Sequence, residues 1–217
     1  MNRGLKLAMT GLALLAIGSL GALDRTAVAA RADALNGEQR AAIEQITGYF
    51  NAMRTLQGEF MQVGPKGHVS TGVFYIAKPG RLRFEYAPPN PFIVVADGTW
   101  VTIKNNAKNT ADQYPLSATP LRLVLAEQVN LLSEAKILDV EQVDGLTTLT
   151  LEDKEKLVPG HLVLIFDDHK NELQQWIIVD GQGRRTTISL NDIVAGVDPD
   201  PKLFQVELPE RKAPTSR

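Results

Sequence analysis

A chain of 217 residues, 44% hydrophobic and 22% charged, has the make-up of an ordinary globular protein and the length of one domain, or at most two. Its formal net charge of −2 supplies no general basic field that would recruit nucleic acid. It has no cysteine, which excludes disulfides, a thiolate metal site and a lipid-modified cysteine. Core packing alone must hold the fold, and at this size folding buries roughly 70% of the unfolded surface.

Residues 1–29 read as a signal peptide. Arg3 and Lys6 make a positive start, residues 7–23 are apolar with only Thr10 and Ser19 as polar breaks, and Ala27-Val28-Ala29 fits a small-residue cleavage site. The rival reading is an uncleaved membrane anchor. It is weakened by Gly11, Gly18 and Gly21 and by a length barely sufficient to span a bilayer. The expected mature chain starts near Ala30 and is exported, with one domain over residues 30–209 and a polar tail over 210–217.

The first element of that domain is a helix. Asn36 suits an N-cap, with Gln39 three residues on as its capping-box partner. Ile43, Ile46, Phe50, Met53 and Leu56 then recur in steps of three and four, which predicts one apolar stripe over about five turns.

From residue 57 the pattern becomes strand-like. Strands are expected over 57–63, 69–78, 81–86, 92–97, 100–104 and 110–114. Between 117 and 132 the pattern changes: Thr119-Pro120 leads into the apolar Leu121-Arg122-Leu123-Val124-Leu125, a short helix, and Asn130-Leu131-Leu132 adds a further turn. Strands resume over 136–142, 147–152, 161–167, 173–180 and 184–192, with a last short one over 204–208. Tight turns such as Pro79-Gly80, Asp97-Gly98 and Asp144-Gly145 join successive strands, so the pairing is antiparallel. The fold class is mainly β: an antiparallel sheet of about ten or eleven strands, wide enough that it must curl or close. The N-terminal helix and the short internal helix cover it.

Residues 72–98 show best what the sheet encloses. Leu82, Phe84 and Tyr86 alternate with Arg81, Arg83 and Glu85, one apolar and one wet face. The expected inner face holds Phe74, Ile76, Leu82, Phe84, Ile93 and Val95. Apolar strand positions are core by default; the case for a cavity is that two helices struggle to fill the concavity of so wide a sheet. Lys78 shares strand parity with Phe74 and Ile76, so it points inward at the rim, as a snorkelling lysine or as a polar latch on the lid. The outward Arg81 and Arg83 read as a solvated face.

The chain carries only weak catalytic patterns. The three histidines, His68, His161 and His169, have no metal-binding spacing, and Asp167-Asp168-His169 sits in a polar turn. No serine lies in a Gly-x-Ser-x-Gly elbow, and Gly181-Gln182-Gly183 links two strands rather than a strand and a helix. Neither an enzyme nor a cofactor is expected.

At this point the residues carry a resemblance. Leu56-Gln57-Gly58-Glu59-Phe60-Met61-Gln62 resembles the "xxAxFxQ" opening of the periplasmic outer-membrane lipoprotein carrier family LolA. The stretch from Gly72 through Lys78-Pro79-Gly80-Arg81-Leu82-Arg83-Phe84-Glu85-Tyr86 looks like that family's "G…RPGRFRWEY", and Val95-Ala96-Asp97-Gly98 like its "VxDG". Tyr114-Pro115-Leu116-Ser117 with Thr119-Pro120-Leu121 is similar to its approach to the lid helix, and Leu203-Phe204 with Pro209 to its close. The resemblance spans nearly the whole mature chain.

It implies an unclosed barrel with a helical lid over a hydrophobic cavity, in a periplasmic carrier that performs no chemistry. Family members accept acylated lipoproteins from an ABC-type release complex in the inner membrane and pass them to an outer-membrane acceptor. The acyl-binding set it implies is Phe60, Phe74, Ile76, Leu82, Phe84, Ile93, Val95, Leu121, Val124 and Leu125, with Lys78 as lid latch. Two departures stand out. The family's usual arginine before the proline is Lys78 here, with fewer donors and no planar fork, which implies a weaker or differently made latch. The aromatic cluster often found after the Asp-Gly turn is absent, since Trp100 is followed by Val101-Thr102-Ile103-Lys104. Two alternatives stay open: a carrier of another amphiphile such as a glycolipid, and a periplasmic sensor that binds a membrane-protein segment. The expected carrier is a monomer with no nucleic-acid partner.

Overall fold

A computed structural model describes residues 35–155 and 159–209. The expected signal peptide, 1–29, and polar tail, 210–217, lie outside the described residues.

The first helix, α1 (Gly37–Ala52), starts as its sequence predicts. The Asn36 side chain accepts from the Gln39 backbone N–H at 2.8 Å, and the Gln39 side chain accepts from the Asn36 N–H at 3.0 Å. Ala42, Ile43, Ile46 and Phe50 are buried. The helix ends sooner than the apolar stripe. Met53 takes extended backbone, and Leu56 enters the first strand opposite Ile76. The stripe continues across the boundary because helix and strand bury into one core.

Eleven strands follow: β1 (Thr55–Val63), β2 (Val69–Ala77), β3 (Arg81–Tyr86), β4 (Phe92–Asp97), β5 (Trp100–Asn105), β6 (Thr110–Pro115), β7 (Ala135–Val143), β8 (Leu146–Asp153), β9 (Gly160–Asp167), β10 (Glu172–Asp180) and β11 (Arg185–Ala195). They form one antiparallel sheet in the order β6-β5-β4-β3-β2-β1-β11-β10-β9-β8-β7. Two meanders, β1–β6 and β7–β11, are thus joined through the β1–β11 pair. The sheet is open, with β6 and β7 as its edges. Two single-turn helices, α2 (Arg122–Leu125) and α3 (Leu131–Glu134), sit between the meanders, and Asn130 caps α3 through the Ser133 N–H.

The expected strand over 204–208 is not formed. Pro201–Phe204 is a 3₁₀ turn, opened by Pro201 behind the Asp200 side chain, and extended chain follows it. Phe204 packs with Ala77, Ile93 and Val95 on the outer face of the sheet, flanked by Tyr75, Leu203 and Val206. Arg81 and Arg83 hold this segment instead of lying free in solvent. The Arg81 guanidinium lies 5.3 Å from the centre of the Phe204 ring, and Arg83 Nη1 donates to the Leu203 carbonyl at 3.1 Å.

On the inner face, α1 lies over the second meander. Tyr49 meets Phe166 of β9 edge-on at 5.4 Å, Gln39 reaches the Val140 carbonyl of β7, and Gln45 reaches Asn171. Leu149, Leu151, Leu164 and Phe166 are fully or almost fully buried in that half.

Candidate functional site

The first meander has an aromatic floor, and glycines allow it. Gly58 pairs with Phe74, and Phe60 pairs with Gly72, across β1 and β2. A Cβ on Gly58 would stand 2.9 Å from the Phe74 ring, and one on Gly72 would stand 2.7 Å from the Phe60 ring and collide with the Glu85 carbonyl oxygen. Each ring therefore lies across the bare backbone of the neighbouring strand. Phe84 stands edge-on to Phe60 at 4.6 Å and stacks on Phe74 at 6.0 Å, while Tyr86 meets Phe60 at 5.0 Å.

Above this floor is a cavity of about 510 Å³. Pockets of roughly 300–1,000 Å³ are the size that holds small ligands. Both meanders line it. Leu82, Phe84 and Tyr86 come from β3, Phe92 and Val94 from β4, and Ile103 from β5. Trp176 and Ile178 face them from β10, with Ile188 from β11; Leu121 enters from the lid segment. Phe84 and Trp176 meet edge-on at 5.8 Å, closing the base between the two halves. Leu82, Phe84, Trp176 and Ile188 are buried, whereas Phe92 is exposed and Val94, Ile103 and Leu121 are half-buried, so the cavity is open to one side.

The lid segment is fixed at one end of the strands. The β2–β3 and β4–β5 turns press together there: Gly80 has φ +71° and a Cβ on it would stand 2.7 Å from Gly98 Cα. The Gly80 N–H donates to the Leu125 carbonyl at 2.8 Å, and the Leu116 N–H donates to the Thr99 carbonyl at 2.8 Å. Asp97 shapes its turn by accepting from both the Thr99 and Trp100 N–H groups. Arg122 of α2 pairs with Asp153 of β8 through both guanidinium–carboxylate contacts, Nε to Oδ2 at 2.7 Å, which ties the lid to the second meander. This contact holds the Asp153 carboxyl below the usual carboxylate range and raises Arg122. Asn51 of α1 grips the loop between α2 and α3, donating to the Val129 carbonyl at 2.9 Å and accepting from its N–H at 2.7 Å.

Lys78 is buried at 7% exposure, and its Nζ donates to the Phe50 carbonyl at 2.6 Å. Phe50 lies in the last turn of α1, where carbonyls lack partners within the helix. The ammonium therefore completes the C-terminal end of α1 rather than touching α2. Burial, with Arg54 nearby, pushes its pKa below the usual lysine range.

Of the residues expected to line a cavity, Leu82, Phe84 and Leu121 do so. Phe60, Phe74 and Ile76 form the packed floor beneath it, and Val124 and Leu125 are buried in the lid segment. Ile93 and Val95 are corrected. Register pairs Phe84 with Val94 and Leu82 with Ala96, so Ile93 and Val95 face outward under Phe204. The sequence reading missed Trp176, Ile178 and Ile188. Their signal was the alternation along β10 and β11, which matters only once β11 is seen beside β1.

The model of the family described as outer membrane lipoprotein carrier protein LolA matches residues 51–207. An outer-membrane lipoprotein carrier protein of Chromohalobacter salexigens is 30% identical over 90% of this chain and 92% of its own length. One of Pseudomonas aeruginosa is 25% identical over 84% of this chain and 91% of its own. Among solved structures, a LolA superfamily protein of Nitrosomonas europaea aligns with a TM-score of 0.42 at 10% identity, covering 76% of this chain and 97% of that one. With its open antiparallel sheet and a family match over most of its length, this chain belongs to the outer membrane lipoprotein carrier protein LolA family.

Proposed function

We propose that this protein is a periplasmic carrier that shelters the acyl chains of lipoproteins released from the inner membrane and delivers them to the outer membrane. The observation that carries the reading is the cavity of about 510 Å³ between the two meanders, walled by Leu82, Phe84, Trp176 and Ile188. An acyl chain costs ~0.8 kcal/mol per CH₂ to expose to water, so aqueous transit requires a covered apolar groove. In this reading Leu82, Phe84 and Leu121 contact the chains, Phe60, Phe74 and Ile76 support them from below, and Lys78 acts as a latch by fixing the end of α1. Val124 and Leu125 anchor the lid.

The protein takes its cargo from an ABC-type release complex and passes it to an outer-membrane acceptor, which must bind the chains more tightly than the cavity does. It acts as a monomer and performs no covalent chemistry. The family match and the relatives named as lipoprotein carriers support this reading. Native mass spectrometry of the protein purified from a periplasm tests it. Bound acylated lipoproteins are expected, and Leu82→Glu should come without them while still unfolding in one transition. Free lipids alone would point to a carrier of another amphiphile, and an empty protein would contradict both.

A further inference from the structure

The inner face of the sheet is apolar along most of its length, but its far end is not. Gln62 at the end of β1 sits opposite Ser70 of β2, and Thr186 at the start of β11 shares that face through its neighbour Ile188, which pairs with Gln62. Tyr86 at the end of β3 and Asn90 just before β4 complete a belt of five polar side chains. Gln62, Tyr86, Asn90 and Thr186 are the polar side chains that line the cavity, and all four lie at the strand ends remote from the lid. The apolar Leu82 and Leu121 lie at the lid end. β3, six residues long, runs from one end to the other, about 17 Å.

The belt is wired internally. The Tyr86 hydroxyl donates to Gln62 Oε1 at 2.7 Å, and Asn90 Nδ2 donates to the Ser70 hydroxyl at 3.1 Å. Asn90 Oδ1 is taken by the Phe92 N–H. Gln62 lines the cavity with its oxygen occupied by Tyr86, so its amide N–H₂ is left to donate, and among the described residues neither this nitrogen nor the Thr186 hydroxyl has a side-chain hydrogen bond of its own. The half-exposed mouth therefore offers donors above an apolar base. An acyl chain carries one acceptor at its head, the ester or amide carbonyl, and none along its tail.

We infer that Gln62 and Thr186 bind the acyl carbonyl, so that the chain enters head outward at the belt with its methyl end beneath the lid. This rests on the carrier reading and adds to it a direction for the cargo. The polypeptide of a bound lipoprotein leaves the barrel at the end opposite α2, and the lid packs against tails.

The test compares two probes on the purified protein: a triacylated lipopeptide and its ether analogue, in which the acyl carbonyls are replaced by methylenes. The parent should bind the lipopeptide about threefold to tenfold more tightly than the ether, the range of one or two hydrogen bonds. Gln62→Leu should abolish most of that preference while binding the ether at least as well as the parent. Thr186→Val provides the same reading with a smaller change of shape. Equal binding of both probes by the parent, or a preference unchanged in both variants, would overturn the belt and leave the carrier reading standing. Diacyl phosphatidylglycerol in vesicles, titrated in parallel, separates the sources of the carbonyl: tighter binding of it than of the lipopeptide would keep the belt and overturn the lipoprotein reading. A parent that binds no probe would overturn both.

Discussion

Lys78 shows how a single buried charge is put to use. An unpaired ammonium in the interior would be expensive, yet this one meets the Phe50 carbonyl at 2.6 Å, in the turn where α1 runs out of partners. Shortening it removes the donor and leaves that carbonyl orphaned. Lys78→Ala should therefore lower the free energy of unfolding by about 2 kcal/mol, read by urea denaturation. Lys78→Arg should recover less than half of this, because the planar fork is bulkier than the ammonium it replaces. Because the pKa of Lys78 is lowered on folding, its charge is a burden at neutral pH, relieved as pH rises through the folded value. Stability of the parent relative to Lys78→Ala should grow at alkaline pH. The strand glycines act at the same scale. Gly72 leaves no side chain where the Phe60 ring must lie, so the floor of the cavity depends on an atom that is missing.

Among the elements, the lid segment is held by a few contacts from distant parts of the chain. α2 is one turn long, too short to be stable alone, and it is fixed by Gly80, by the Asn51 grip on Val129 and by the Arg122–Asp153 pair. Asp153 is nearly buried, so breaking the pair leaves the Arg122 charge poorly compensated. The folded carboxyl has a depressed pKa. Its contribution is therefore complete above the unfolded value of 3.8 and fades only as pH falls through the lower folded value. Asp153→Asn should thus lose about 2 kcal/mol at neutral pH, and the gap between parent and variant should close in strong acid, followed by thermal melts across pH. At pH 5–8 the lid pair has no titration of its own to open it.

Much of the whole molecule was legible because each strand announces itself locally. Alternation in residues 81–86 fixed both the strand and its faces, and Pro79-Gly80 and Asp97-Gly98 marked turns that the structure forms. β4 defeated the same reasoning. Phe92-Ile93-Val94-Val95-Ala96 is apolar on both faces, because the cavity lies on one side and Phe204 covers the other. No period exists in such a run, and its faces follow only from the register with β3. The second wall of the cavity was hidden for a longer-range reason. Trp176 and Ile188 lie about a hundred residues from Leu82, and only the pairing of β1 with β11 brings them together. The polar belt was equally out of reach, since Gln62, Asn90 and Thr186 become neighbours through that pairing and the open curl of the sheet.

In the proposed carrier, acyl chains occupy the space between the two meanders. Trp176 lies in its base, and the chain's other tryptophan, Trp100, is exposed on β5. In the Trp100→Phe variant, fluorescence therefore reports on the cavity alone. Titration with a triacylated lipopeptide brominated along its acyl chains should quench Trp176 saturably, at one lipopeptide per protein. Binding of the lipopeptide with no quenching of Trp176 would place the acyl chains elsewhere and overturn the proposed carrier cavity.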